Sequence, residues 1–301
     1  MQNLLKRLWA FGGSRVLENE MMSRHTTFRV GGPAEAVFLP ESGEELCAAI
    51  EAAKECGVEC RVLGNGSNLL VKDGGLRGLT IILGEKFAGI KVEGTRITAQ
   101  AGAMLSKVAA AACDAGLAGL EFAGGIPGTL GGGCAMNAGA YGGQLSDVLV
   151  EAEVLLDGEV RTMTRDELEM GYRTTLPLRK GGVVLGAAFE LKMDDREAIQ
   201  ERMKELNARR RDKQPLNMPS AGSTFKRPEG YFAGALIEQC GLKGCTVGGA
   251  QVSEKHAGFV VNIGNATAKD ILDLMAHVQE TVLREKGVRL EPVVRIIGED
   301  K

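Results

Sequence analysis

Two glycine-rich stretches hold the residue types whose spacing could do chemistry. The first, Leu120 to Gly143, reads LEFAGGIPGTLGGGCAMNAGAYGG, with a single proline and almost no charge. Glycine removes the Cβ that would hold a bound group off the backbone. It also permits positive φ, so that successive N–H groups can converge on an anion. The chemistry such a stretch suits is the cradling of a phosphate. The second, Val62 to Val71, reads VLGNGSNLLV: an apolar run, a Gly/Asn/Ser turn, then another apolar run. Asn and Gly tolerate left-handed backbone, and Asn and Ser side chains bond neighbouring backbone groups, so this turn can present several donors at once. Together the stretches predict two walls of one dinucleotide site. Taken singly, each also fits a cluster of glycine turns that holds no ligand.

Neither common nucleotide motif is present. Gly125 to Gly131 is followed by Gly132-Gly133 instead of the Lys-Ser/Thr that a Walker-type loop requires. No G-x-G-x-x-G occurs in the first stretch, and Gly64-Asn65-Gly66-Ser67-Asn68-Leu69 ends on leucine. The histidines, His25, His256 and His277, lie far apart without H-E-x-x-H, so no protein-bound metal is expected. Seven cysteines, an odd number without C-x-x-C, read as reduced, mostly buried thiols of a cytosolic protein. A net charge of −3 with both signs scattered, and few aromatic residues, argue against nucleic-acid and anionic-membrane partners. The triplet Arg209-Arg210-Arg211 reads as the solvated end of a helix, where positive charge suits the dipole. By residue type alone, Arg173 is a surface arginine and Ser223 a turn residue.

The elements that must position these stretches are read from periodicity. At 301 residues the chain exceeds what one core usually supports, about 250 to 300 residues, and two or three domains are expected. Met1 to Phe11 predicts a packing helix, its apolar run too short for a signal peptide, and no run approaches the roughly 20 residues that span a bilayer. Ser42-Gly43-Glu44-Glu45 predicts a capping box, with Leu46, Ala49, Ile50 and Ala53 beyond it at helical spacing. Strands are expected at Arg61 to Leu63, Leu79 to Leu83, Ile90 to Val92 and Ile97 to Ala101, with a helix over 103–114. Leu149 to Leu156 and Val160 to Met163 flank Asp157-Gly158, a hairpin signal. Thr164 to Glu167 predicts the cap of a short helix ending near Gly171-Tyr172-Arg173, and Val183 to Leu191 a buried strand. Asp194 to Arg211 is a charged helix with Ile199, Met203 and Leu206 on one stripe. Beyond it come a helix over 232–240, a strand over 256–263, a long helix opening at Thr267, and a strand over 288–297 interrupted by Pro292. The expected domains are 1–85, 86–194 and 195–301.

Four separated motifs, in order along almost the whole chain, resemble one family. They are Thr27-Phe28-Arg29-Val30-Gly31-Gly32-Pro33-Ala34, the Gly64 to Leu70 loop, Gly124 to Gly143, and Gly222-Ser223-Thr224-Phe225. They are similar to the UDP-N-acetylenolpyruvoylglucosamine reductases of peptidoglycan synthesis, in the shorter subclass without the tyrosine-bearing substrate loop. The resemblance implies an α+β chain: an FAD-binding fold of the p-cresol methylhydroxylase/vanillyl-alcohol oxidase type in two α/β subdomains, and a C-terminal substrate domain. It implies reduction of an enolpyruvyl ether to a lactyl ether, with NADPH and the sugar nucleotide using the flavin in turn, in a cytoplasmic monomer. Carried onto this sequence, the cofactor wall comprises Leu63, Gly64, Asn65, Gly66, Ser67, Asn68 and Leu69, then Gly124, Gly125, Ile126, Pro127, Gly128, Thr129, Gly131, Gly132, Asn137, Ala138 and Gly139. Ser223 matches the acid that protonates C2, and Arg173 the arginine that stabilises the developing enolate. Tyr172, Lys213 and Arg227 match substrate contacts. Other readings of the motifs are a flavoenzyme of this fold with another substrate, a non-catalytic nucleotide-binding protein, and a flavin-free scaffold.

One departure separates this chain from the resemblance. Where the family pattern reads L-E-P-E-V-R, with a catalytic glutamate, this chain has Leu290-Glu291-Pro292-Val293-Val294-Arg295, so Val293 stands at the glutamate position. Glu291 lies on the same face of an extended strand but about 6.6 Å away. A displacement of about 1 Å can cost a catalytic group on the order of a hundredfold in rate. The resemblance therefore leaves three outcomes: catalysis resting on Ser223 and Arg173, substitution by Glu291, or a slow or inactive variant. Cys134 and Tyr141 carry the residue types through which related oxidases link their flavin.

Overall fold

The computed structural model describes residues 1–301, as mixed helices and sheets that divide into two compact units. Met1–Val16, Phe38–Asn65 and Ile81–Arg210 form the first unit, and Leu17–Val37, Gly66–Thr80 and Arg211–Lys301 the second. The division differs from three consecutive segments because a mid-chain piece, 66–80, and an early one, 17–37, pack with the C-terminal residues. Contact with distant residues decides where they belong, and periodicity does not carry that information.

The first unit is built on a five-stranded antiparallel sheet in the order Glu159–Thr164, Leu149–Leu156, Val183–Glu190, Arg96–Gln100, Ile90–Glu93. The hairpin at its edge turns through Asp157 and Gly158, with φ of 55° and 85°. Two positive φ values match the right-handed twist of the flanking strands. Ala152, Val154, Leu156, Ala187 and Phe189 join Leu105, Val108, Ala109 and Ala112 of the helix Leu105–Asp114 in one core. Full burial of a side chain such as Phe189 contributes about 1.5–3 kcal/mol. Helix Gly43–Glu55 begins as expected, with the Ser42 hydroxyl accepting from Glu45 N–H at 3.3 Å. The reciprocal half of the capping box is absent: the Glu45 carboxylate accepts from Glu41 N–H and pairs with Arg15. The expected cap at Thr164 also forms, with Thr164 N–H donating to Glu167 at 2.7 Å, but it opens a turn and not a helix.

In the second unit, strands Val16–Met21, Pro33–Phe38 and Leu76–Ile82 lie side by side in that order. A small antiparallel sheet of Thr246–Val247, Ala250–Val252 and Val260–Asn262 packs with helix Ala268–Lys286. That helix buries Ile271, Leu274, Met275, Val278 and Val282, the stripe its spacing predicts. The strand expected over 256–263 shortens to Val260–Asn262, and that over 288–297 shortens to Arg295–Ile297. Arg295–Ile297 pairs in parallel with Leu69–Val71, a pairing too distant in sequence for any local pattern to announce.

The long helix opens on a true capping box: Thr267 Oγ1 accepts from Asp270 N–H at 3.0 Å, and Asp270 Oδ2 accepts from Thr267 N–H at 2.9 Å. The Thr267 N–H is the main cause holding the Asp270 carboxyl below its ordinary value. A carboxyl depressed in the folded state stabilises above its unfolded value, about 3.9, and loses that contribution as pH falls through its folded value. Thr267→Ala should cost about 1 kcal/mol, read as a lower urea midpoint at unchanged slope.

Candidate active site

Within the first unit the two glycine-rich stretches meet. Asn65 Nδ2 donates to the Pro127 carbonyl at 2.8 Å across 62 residues of sequence, and a Cβ added at Gly64 would collide with Thr129 Oγ1. Residues 63–65 and 127–129 therefore form one continuous main-chain surface, as two walls of one cradle require. The glycines of the longer stretch divide by purpose. A Cβ at Gly131 would press on Ala101 Cβ at 2.7 Å and at Gly133 on Leu105 Cδ1 at 2.8 Å, so these are glycines because helix Leu130–Ala135 packs tightly. At Gly132 the nearest atom to such a Cβ is Thr129 Oγ1 at 3.8 Å, so that face is open to an approaching group. The open backbone at Gly132 beside the Thr129 hydroxyl is the kind of surface that suits a pyrophosphate. Ala138 and Cys134 are buried. Burial pushes the Cys134 thiol up to about 12.

The turn carrying Arg173 is docked on the same stretch. Asn137 Nδ2 donates to the Gly171 carbonyl at 3.2 Å and to Gln144 Oε1 at 3.3 Å, while its Oδ1 accepts from Ser146 N–H at 3.0 Å. Thr175 Oγ1 donates to Ala135 O at 2.8 Å. Arg173 itself has φ of 58° and reaches Gly139 O at 3.5 Å, with its guanidinium 5.6 Å from the Tyr172 ring centroid. A bulky residue in the left-handed region costs on the order of 1–3 kcal/mol and persists where its surroundings over-determine it. The side-chain amide of Asn137, a residue expected on the cofactor wall, holds the turn of Arg173. Tyr172 is 60 % exposed.

Sequence reasoning missed Arg210. The triplet was expected to be solvated, but Arg210 is half-buried, and burial is the first cause lowering its guanidinium below the ordinary value. A Cβ at Gly125 would sit 3.0 Å from Arg210 Cδ and 2.7 Å from Asn207 Oδ1, and one at Gly124 would sit 2.9 Å from Met203 Cε. Met203, Asn207 and Arg210 therefore line Gly124–Gly125 at helical spacing. The Met203 stripe was the signal that could have separated Arg210 from its neighbours.

In the second unit, Ser223 is exposed and lies between Gly222, with φ of 75°, and the fully buried Thr224. Thr224 N–H donates to Gly258 O at 2.8 Å, its carbonyl accepts from Val293 N–H at 2.9 Å, and its Oγ1 accepts from Val260 N–H at 3.0 Å. Lys226 N–H donates to Glu291 O at 2.7 Å, and Phe225 faces Pro292, so the segments run antiparallel. This register sets Val293 opposite Thr224 and Glu291 opposite Lys226. The Glu291 carboxylate pairs with Lys226 Nζ at 3.1 Å and is 67 % exposed. Glu291 is thus three ladder positions from Ser223, about 10 Å along an extended strand. The structure does not bring Glu291 to Ser223. Gly66 and Leu69 belong to this unit, and Asn68 Nδ2 donates to Val293 O at 2.9 Å. Lys213 is exposed, and the Arg227 guanidinium stacks 4.0 Å from the Phe232 centroid.

A separate cavity of 840 Å³ on the first unit is lined by Glu44, Cys47, Gln100, Glu151 and Glu153 among others, none of them a residue of the glycine surface. All seven cysteines are free, and no helix is long and apolar enough to cross a membrane. Gly64→Ala should strip the flavin, leaving colourless protein, and Thr129→Ala in the same chain should restore part of the yellow colour by removing the atom the new Cβ meets. Absorbance at the flavin band reads both.

Comparison with known proteins identifies the family. Residues 34–164 match the family model of the FAD binding domain, and residues 214–297 that of the UDP-N-acetylenolpyruvoylglucosamine reductase C-terminal domain. The chain is 53 % identical over 297 residues to the UDP-N-acetylenolpyruvoylglucosamine reductase of Agathobacter rectalis, covering 94 % of each. It is 50 % identical over 302 residues to that of Clostridium tetani, covering 100 % of this chain and 97 % of the other. The crystal structure of UDP-N-acetylenolpyruvylglucosamine reductase from Thermus caldophilus matches with a TM-score of 0.81 and 39 % identity, over 93 % of this chain and 97 % of that one. The fold is thus the FAD-binding type expected, and this chain belongs to the UDP-N-acetylenolpyruvoylglucosamine reductase family.

Proposed function

We propose that this chain reduces UDP-N-acetylglucosamine enolpyruvate to UDP-N-acetylmuramate for peptidoglycan synthesis, with NADPH as reductant, as a monomer in the cytoplasm. The observation that carries the reading is the junction of Asn65 with Pro127, which joins two glycine backbones into one surface able to hold a pyrophosphate. On that surface Leu63, Gly64 and Asn65 would act with Gly128, Thr129 and Gly132, and Arg210 would add a half-buried cation beside Gly125. Bound FAD supplies hydride transfer, from NADPH to C3 of the enolpyruvyl group.

The protein's own residues must then manage charge and a proton. Addition at C3 leaves negative charge on C2 and the adjoining carboxylate, which a fixed cation stabilises best when it needs no reorganisation. Arg173 suits this role because Asn137 and Thr175 hold its turn in place. Ser223 would donate the proton to C2. An ordinary hydroxyl is a poor acid, and its value here lies in placement: Thr224 is tied at its N–H, carbonyl and hydroxyl, so the residue before it has little freedom. Tyr172, Lys213 and Arg227 are assigned to the sugar nucleotide. Glu291 takes no proton-transfer role in this reading, because its carboxylate pairs with Lys226. Catalysis then rests on Ser223 and Arg173, at reduced turnover.

NADPH should be consumed steadily only when the enolpyruvyl sugar nucleotide is present; consumption without it, or none with it, would remove the reading. Ser223→Ala should slow reoxidation of the NADPH-reduced flavin by that substrate by roughly 100-fold or more, the usual reach of a general acid, in single-turnover absorbance traces. Val293→Glu places a carboxylate opposite Thr224 in the ladder and should speed the same step about tenfold or more. No gain in that trace would show that position 293 does not limit the reaction.

A further inference from the structure

The geometry points to Asn68 as a positioning residue for Ser223, acting through the backbone of Val293. This inference rests on the reading of Ser223 as the proton donor. Val293 is gripped from both sides: its N–H donates to the Thr224 carbonyl at 2.9 Å, and its carbonyl accepts from Asn68 Nδ2 at 2.9 Å. The Asn68 carbonyl in turn accepts from Arg295 N–H at 3.0 Å, which opens the parallel pairing of Leu69–Val71 with Arg295–Ile297. One asparagine therefore ties the Gly66–Leu69 turn to the chain segment that sets the height of Thr224, and Ser223 is the next residue.

The amide is suited to this and few other groups are. A carbonyl needs a donor, and a carboxylate, hydroxyl or aliphatic side chain at 68 would offer repulsion, insufficient reach or nothing. Segment 291–294 forms no continuous strand; the bridge Phe225 to Pro292 and its two flanking backbone bonds fix its register on the serine side and leave the other side to Asn68. The Thr224 bonds to Gly258 and Val260 fix its other side, so Asn68 supplies the clamp on the Val293 side. In a chain whose position 293 carries no carboxylate, the placement of the serine hydroxyl is the remaining means of proton delivery. A displacement of about 1 Å there is worth on the order of a hundredfold. Asn68 thus links the turn assigned to the cofactor with the residue assigned to the substrate.

The test is a double-mutant cycle on the flavin-loaded full chain, read as single-turnover reoxidation of the NADPH-reduced flavin by the enolpyruvyl sugar nucleotide. Asn68→Asp keeps the shape but replaces the donor with an anion facing the Val293 carbonyl. It should slow reoxidation at saturating substrate about tenfold or more, with KM little changed. In the Ser223→Ala background the same substitution should cost less than about twofold, because no hydroxyl remains to be placed. Asn68→Ala, which removes the donor without adding charge, should show the same pattern and serves if the aspartate variant does not fold. Equal losses in both backgrounds would overturn the inference, as would loss of bound flavin or a matching loss in flavin bleaching by NADPH, since either would place Asn68 in cofactor retention. Wild-type protein whose reduced flavin is not reoxidised by the sugar nucleotide would instead remove the functional reading itself.

Discussion

The structure depends on two backbones coming close enough that a side chain on either would keep them apart. Asn65 bridges to Pro127, and Gly64 lies where any Cβ would strike Thr129 Oγ1. The approach does two things at once. It gives the Pro127 carbonyl a partner on the other loop, and it brings two stretches of peptide with little side chain into one strip. A strip of that kind needs neither a Walker lysine nor a Rossmann helix to receive a diphosphate, and both motifs are missing from a chain whose residues 34–164 match an FAD binding domain.

Glycine is used in that strip for two different reasons, and composition does not separate them. Gly131 and Gly133 let a short helix lie flat against Ala101 and Leu105, so their loss is a packing fault. Gly64 lets two loops close, and Gly132 keeps one face open. The neighbouring Asn137 shows the same economy. It is the residue type expected to face a ligand, yet its amide joins Gly171, Gln144 and Ser146 and so fixes the turn on which Arg173 sits at positive φ.

In the second unit the ordering force is the ladder between 224–226 and 291–293. It places a valine opposite Thr224 and leaves Glu291 paired with a lysine in solvent, where an ion pair contributes at most about 1 kcal/mol. A two-residue offset in a strand keeps the face but moves the group about 6.6 Å, and backbone hydrogen bonds prevent the chain from sliding to recover it. In the proposed reading, Glu291 therefore does not stand in for a carboxylate at position 293, and proton delivery rests on how firmly the serine is held.

By itself the sequence determined the elements with strong local signals: the Thr267 cap and the five-residue stripe behind it, the Asp157-Gly158 hairpin, the glycine stretches, and the four motifs that mark the family. Each is written in residues a few positions apart, where periodicity, capping and turn preference act. Tertiary structure alone decided the rest. Residues 66–80 pack with the C-terminal residues, Leu69–Val71 pairs with Arg295–Ile297, Arg210 is half-buried between two exposed arginines, and Thr164 caps a turn instead of a helix. Those outcomes depend on distant partners, 225 residues apart in the case of Asn68 and Val293, and on whether a Cβ finds space or a backbone atom. Local preference ends at the next turn of chain, whereas burial and hydrogen-bond satisfaction are settled by whichever distant segment arrives beside it.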